Sequence, residues 1–303
     1  MSLKKQEFNE IKPLFTFLEE LAFDTIDTVV FRGHANENHR LLNSWQRHRT
    51  VPLAQGQSDV DEAIEAYKVG LEKLGIPSFD HKNRFEGLEH GRHHGLPTPC
   101  LDFTYSPYVA LFFAFNEVRK PVDGSKLHSV VYALDVTHLA KFQASKRSGP
   151  LPKQDPVDNA LGHFLRPTED FFAKGFPVNA LQFIPYPGKA NRRMQNQMGC
   201  LLYDTMDHKS IGNKDLEEYL EKLQEIQLHE APKAINVLDH VLYKILIDQN
   251  LVTEIFARLE LMNINGARLY GDATGVALDV KNSYNYNPRF SYLRDIRISS
   301  GQE

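Results

Sequence analysis

Apolar and polar positions follow two different periods along this chain, and the switches between them mark out its elements. "FNEIKPLFTFLEELAF" repeats its apolar residues at helical spacing despite Pro13, which predicts an amphipathic helix near the start. "DTVVFRG" predicts a short strand ending at Arg32 and Gly33, with "HANENH" as the loop beyond. "RLLNSWQRHR" and "SDVDEAIEAYKVGLEKLG" predict two helices, the second with an Asp/Ser start and a Gly75 stop. Residues 82–94 read as a weaker helix closing at Gly95. Pro97 and Pro99 then exclude a helix across "PCLDF", which reads as a strand.

The next stretch is better defined. In "SPYVALFFAFNE", Ser106 is the expected N-cap, Pro107 the first helical residue, and the helix is apolar all round, as a buried one is. "SVVYALDV", "ALQFIPY" and "GCLLYDT" are strand candidates, the last two joined by a polar connector, "GKANRRMQNQM", with room for one helical turn. "DLEEYLEKLQEI" and "NLVTEIFARLELMNI" predict helices, and "AINVLDHVLYKILI" a strand or strand pair. Residues 145–180, rich in Pro, Lys and Asp, read as a long surface excursion, and the last thirty residues carry no pattern. Short strands in mixed order with helices predict an α+β fold: a mixed, mostly antiparallel sheet of short strands surrounded by helices. The expected organisation is a single domain over 1–303, with a core at about 24–205 and a C-terminal helical and strand part at 206–303.

Composition narrows the class. The 303 residues are 42% hydrophobic and 24% charged, enough for a substantial core. A net charge of −4 supplies no global attraction to nucleic acid or an acidic membrane. The start, "MSLKKQEFNE", does not read as a signal peptide, and no run approaches the roughly eighteen apolar residues of a membrane span. The two cysteines, Cys100 and Cys200, both sit in apolar stretches, so no disulfide framework is expected and the natural compartment is the reducing cytoplasm.

Candidate chemistry concentrates in three fragments. From Thr28 to Arg49, four arginines (Arg32, Arg40, Arg47, Arg49) stand against one acid, Glu37. Arg32 ends a strand and precedes Gly33, where backbone can approach a ligand and a planar guanidinium can grip a phosphate or carboxylate. The alternative is a strand-end arginine in a structural ion pair. In "EHGRHHGLPTPCLDFT", His90 and His94 share a helical face with Cys100 downstream, but two glycines loosen that helix and no metal is expected. Asp102 lies in an apolar strand and needs a partner, for which an arginine is the obvious choice, or it caps the helix after it. In "YPGKANRRMQNQMGCLLYD", Arg192, Arg193, Asn196 and Gln197 precede an apolar strand, as a ligand contact or as a solvated turn.

Taken together these residues resemble the FRG-domain family. The matching positions are Phe31-Arg32-Gly33, then His93, Gly95-Leu96-Pro97-Thr98, Leu101-Asp102-Phe103-Thr104, Ser106-Pro107 and the Ala110-Leu111, Phe113-Ala114 pairs, then Arg193, Gln197 and Gly199. "ARLELMNINGARLYGDATGVALDV" resembles that family's ending, so the resemblance runs over about 24–280. His94 stands where a Tyr is usual, and Pro99-Cys100 where Arg-Leu is usual. With its strand ending in Phe31-Arg32-Gly33, Thr104 at a later strand end and the Ala110-Leu111-x-Phe113-Ala114 helix, the chain is also faintly similar to mono-ADP-ribosyltransferases of the Arg-Ser-Glu type.

That second resemblance implies NAD as co-substrate, Arg32 on its phosphates and Thr104 on the nicotinamide side. The implied site has Asp102, Thr104 and Gln197 as catalytic residues. Arg32, Gly33, His93, Thr98 and Arg193 would bind the cofactor. The transferase pattern has an acid before the "GCLLYD" strand, where this chain offers Gln195-Asn196-Gln197, so Asp102, Asp204 or a distant acid would have to substitute. The leading expectation is an NAD-using transferase of a toxin or phage-defence type, acting on a nucleic-acid or protein target, with no membrane partner. The alternative is a non-catalytic module for nucleic acid or another phosphate ligand, with Trp45 stacking a base. Metal-dependent hydrolysis through His90, His93 and His94 is the third.

Overall fold

The protein is described by a computed structural model over residues 4–23, 28–48, 57–77, 84–119, 121, 125–145, 181–184, 192–204, 215–222 and 241–284. Its described strands form one seven-stranded sheet. They are β1 (Lys4–Phe8), β2 (Val29–His34), β3 (Cys100–Thr104), β4 (His128–Asp135), β5 (Leu181–Ile184), β6 (Gly199–Asp204) and β7 (Leu242–Asp248), in the order β1-β7-β4-β2-β3-β6-β5. Only β1 and β7 run parallel among these ladders. The α+β class and the mostly antiparallel sheet are as the sequence predicts. β7 lies between β1 and β4, so the C-terminal part of the chain supplies an interior strand.

Strand alternation divides the core between the two faces. Val29 and Phe31, Val131 and Ala133, Ile245 and Ile247 face α1 (Ile11–Phe23), α5 (Pro107–Phe115) and α8 (Val252–Leu261). Their neighbours Val30, Tyr132, Leu134 and Leu246 face α6 (Val136–Ser145) and the helical residues 216–222. A third cluster covers the far strands, where Cys100, Leu201 and Tyr203 meet Trp45 of α2 (Ser44–His48), Val60 and Ile64 of α3 (Gln57–Lys73), Leu88 of α4 (Arg84–His93) and Met194 of α7 (Arg192–Asn196). Because Phe31 pairs with Thr104, this third cluster lies on the same face as α5. A seam therefore crosses that face between two apolar clusters.

Helix α5 follows its sequence closely: Ser106 accepts from the Val109 amide at 3.3 Å, and Pro107 opens the helix. Three elements depart from expectation. β1 is a polar edge strand, "KKQEF", whose outer residues lack the alternation that reveals a half-buried strand. α2 starts only at Ser44, because Asn43 and Gln46 cap it reciprocally at 2.8 and 3.0 Å. The supposedly unpatterned tail begins with α10 (Ala273–Asn282), capped by Asp272, after a short α9 (Gly266–Tyr270). α9 and α10 are held together by the Asp279 carboxylate, which accepts from the Gly266 and Ala267 amides. The expected excursion at 145–180 lies outside the described residues beyond Ser145. Among the described residues, no helix is long and apolar enough to cross a membrane.

Candidate functional site

The site begins where two neighbouring strands separate. β2 pairs with β4 at every residue from Val29 to His34, but with β3 only through Phe31 and Thr104. Gly33 accounts for part of this geometry. A Cβ built there would run into the Ala110 carbonyl and lie 2.6 Å from the Ala114 amide nitrogen. The glycine thus lets the backbone of α5 lie directly on β2. Sequence reasoning assigned the close approach to a ligand, whereas the group that fills the Cβ position is α5.

Across the parting, Arg32 replaces the missing ladder. Its Nη1 donates to the Asp102 carbonyl at 2.7 Å and lies 3.9 Å from the Asp102 carboxylate. Its Nε donates to His34 Nε2 at 2.9 Å, so His34 carries its proton on Nδ1, which faces the His39 carbonyl at 3.2 Å. Burial and the adjacent guanidinium push the His34 pKa down to about 3, so the ring is neutral. Burial also lowers the Arg32 pKa, opposed by Asp102, but an arginine remains cationic.

Asp102 binds a second arginine, Arg92 of α4, through Arg92 Nη2. The Asp102 carboxylate is half-exposed, and Arg92 and Arg32 hold it below the usual range against partial desolvation. The same pairing raises Arg92, against the cost of its burial. The ion pair foreseen for Asp102 is therefore present, with two partners.

Around this cluster lies a cavity of about 330 Å³, at the lower end for a small-molecule site. Its described walls include Arg32, Gly33, Asp102, Thr104, Arg193 and Gln197, drawn from all three sequence fragments. Phe113 of α5 and Glu89 of α4 line it as well. The wall opposite β2 is α7. Its Arg193 guanidinium stacks over the Tyr270 ring of α9, 4.0 Å from the centroid. Gln197 donates its side-chain amide to the Leu269 carbonyl at 3.2 Å, tying the same wall to α9. Thr104 fixes this wall to the sheet: its hydroxyl donates to the Gln197 carbonyl at 2.7 Å and accepts from the Ser106 amide at 3.0 Å.

The remaining expected residues fall elsewhere. Thr98 is fully buried and outside the cavity walls; its carbonyl and amide bond Ser44 and its carbonyl also takes the Trp45 amide, anchoring α2. The His93 side chain lies outside the described residues. Asp204 is buried at the end of β6, away from the cavity walls. Trp45 is buried in the third cluster, so it has no open face for a base and that expectation is corrected. Arg40 is engaged by Asp215 at 2.8 Å and Glu218 at 2.6 Å, and Arg49 is outside the described residues. His90 meets the Tyr67 hydroxyl at 3.0 Å and lies tilted against the His94 ring, and among the described residues no three metal-ligating groups converge. Arg92 and Glu89 were not singled out from the sequence. Their spacing of three on one helix, beside a glycine-flanked histidine run, was the only available signal.

Residues 27–123 match the FRG domain family model. This segment holds β2, α4, β3 and α5, and with them Arg32, Gly33, Glu89, Arg92, Asp102 and Thr104. Arg193 and Gln197 lie beyond it, as does the C-terminal stretch included in the wider resemblance. No curated protein and no solved structure matches the chain.

Proposed function

We propose that the cavity between β2 and β3 binds NAD and catalyses cleavage of its nicotinamide–ribose bond, either to water or to an acceptor on a target. The observation that carries this reading is one compartment in which two arginines for phosphate, an aromatic side chain and two carboxylates meet. Arg193, its guanidinium carbon 4.0 Å from the Tyr270 ring centroid, lines the cavity and supplies a cation for a phosphate. Arg32 lends its charge from the floor of the site while its other donors hold the strands. Phe113 offers a face for the nicotinamide ring.

In the reaction, the C1′–N bond breaks and its electron pair neutralises the pyridinium nitrogen. The ribose carbon gains positive charge until the acceptor oxygen bonds to it, and the acceptor's proton leaves to a base. Glu89, which lines the same cavity, is the acid we assign to stabilise the developing cation and take that proton. Asp102, held by Arg92 and Arg32, is a positioning residue, and so is Thr104. A toxin or phage-defence setting is consistent with such chemistry.

The test is calorimetric titration with NAD, together with chromatography for released nicotinamide. Binding with slow release is expected, with binding weakened about tenfold in Arg193→Gln. Glu89→Gln should keep binding and slow release by about a hundredfold or more. A silent titration removes the NAD reading. Binding without release leaves a phosphate-ligand module, and a steep fall of nucleic-acid affinity with salt would identify that ligand as a polynucleotide.

A further inference from the structure

The Arg32–Asp102–Arg92 cluster has a second side. Beyond it lies a smaller compartment of about 190 Å³, which shares these three residues with the larger cavity. Its other described walls include Asn43, Ser44 and Arg47 of the α2 region, and Cys100. We infer that this compartment is a separate oxyanion site, built for a phosphate or phosphate monoester.

Three arguments carry the inference. Arg32, Arg47 and Arg92 come from three different elements, β2, α2 and α4, against one carboxylate, Asp102. Three positive charges and one negative leave two positive, the complement of a phosphate monoester dianion near neutral pH. Second, a donor is waiting. Nη2 of Arg92 is taken by Asp102, but its buried Nη1 finds no oxygen or nitrogen acceptor and meets only the Cys100 thiol. The Cys100 thiol beside it, pushed up to about 11 by burial, stays protonated and is only a weak acceptor. Buried donors are normally satisfied, so this one calls for an incoming oxygen. Third, the size suits a phosphate with a small substituent and falls below the range of whole-nucleotide pockets. Arg47 anchors one side of its guanidinium on the Leu42 carbonyl at 2.6 Å, which fixes where its remaining donors lie.

The site stands whether or not the larger cavity takes NAD. The oxygen it binds belongs either to a free phosphate ion or to a phosphoryl group of a ligand reaching across from the larger cavity. Titration of the intact protein with inorganic phosphate at low ionic strength, with and without saturating NAD, separates these sources. Phosphate binding is expected in the wild type. In Arg47→Gln it should weaken about tenfold, with the thermal midpoint held, because Arg47 is exposed and lines only the smaller compartment. Phosphate that binds alongside NAD marks an independent ion site, and phosphate that NAD displaces marks a phosphoryl subsite of the larger ligand. Phosphate binding in a protein that ignores NAD would uphold this inference while overturning the proposed function. Absence of phosphate binding, or equal binding by Arg47→Gln, overturns the inference.

Discussion

The two edges of β2 meet different fates. Toward β4 all six residues, Val29 to His34, find ladder partners, and the facing strand "HSVVYALD" is buried along nearly its whole length. Toward β3 only Phe31 is paired, and the facing strand "CLDFT" carries Asp102 at its centre. The first edge is closed by backbone hydrogen bonds and apolar packing. The second is bridged by the Arg32 side chain, which donates to the Asp102 carbonyl, while His34 braces Arg32 and Arg92 binds the Asp102 carboxylate. An edge joined by side chains can leave a cavity; a complete ladder cannot. The same residues therefore serve stability and any ligand chemistry together, and Arg32→Ala should lose both. The two roles are separated by substitutions that load the two edges differently.

The closed side is the more sensitive. In Gly33→Ala the new methyl group would meet the backbone of α5 at Ala110 and Ala114, which cannot swing aside as a flexible side chain could. Either α5 lifts from β2 or β2 bends into the cavity. The expected loss is about 3 kcal/mol or more, at the upper end for overpacking, read as a lower urea midpoint at unchanged slope. A variant of wild-type stability would mean that α5 does not rest on this glycine.

On the open side the largest effect should appear in acid. The His34 pKa is depressed in the folded chain to about 3 by burial and by Arg32, against an unfolded value of about 6.5. A depressed folded pKa means that the unfolded chain takes up the proton first. The associated stability is complete above about pH 6.5 and is lost as pH falls toward 3, at up to about 1.4 kcal/mol per pH unit. Between pH 7 and 5 the loss attributable to His34 should be about 2 kcal/mol. The measurement is the difference in that loss between wild type and His34→Gln, which cancels every other titrating group. Equal losses in the two proteins would show that the Arg32–His34 bond does not depend on a neutral ring.

The two edges were unequally legible in the sequence. The closed one could be read because its signals are local: β-branched runs in β2 and β4, Ser106 and Pro107 at the start of α5, and an apolar helix with no polar face. The open one depends on contacts far apart in the chain. Asp102 announced a need for an arginine, but Arg92 was hidden among the histidines of a weakly patterned helix, and nothing local distinguished it from Arg47. Glu89 was invisible for the same reason. Trp45 misled, since an aromatic residue among cations suggests a base platform until the packing of α3 and α4 over it is known. Thr98 misled in a related way: a hydroxyl in a Gly-Leu-Pro-Thr turn looks available, yet the turn is folded inward against Ser44. α9 and α10 escaped because short helices fixed by caps and a glycine contact need little hydrophobic periodicity.

The smallest effect concerns Thr104, the one residue on both ladders of the open edge. Its hydroxyl joins β3 to the turn after α7 through Gln197 and to the start of α5 through Ser106. Thr104→Val keeps the shape but leaves a carbonyl and an amide without their partner, at a cost of about 1–2 kcal/mol in thermal or urea unfolding. Thr104→Ser should recover most of it, because both hydrogen bonds need only the oxygen. The informative comparison is between stability and ligand affinity across the pair. If Thr104 acts by holding the α7 wall, Thr104→Val should also displace Arg193 and weaken NAD binding, and Thr104→Ser should restore affinity in step with stability. If the serine variant restores stability while affinity stays low, the threonine methyl group itself contacts the ligand. In that event Thr104 belongs to the binding surface rather than to the frame around it.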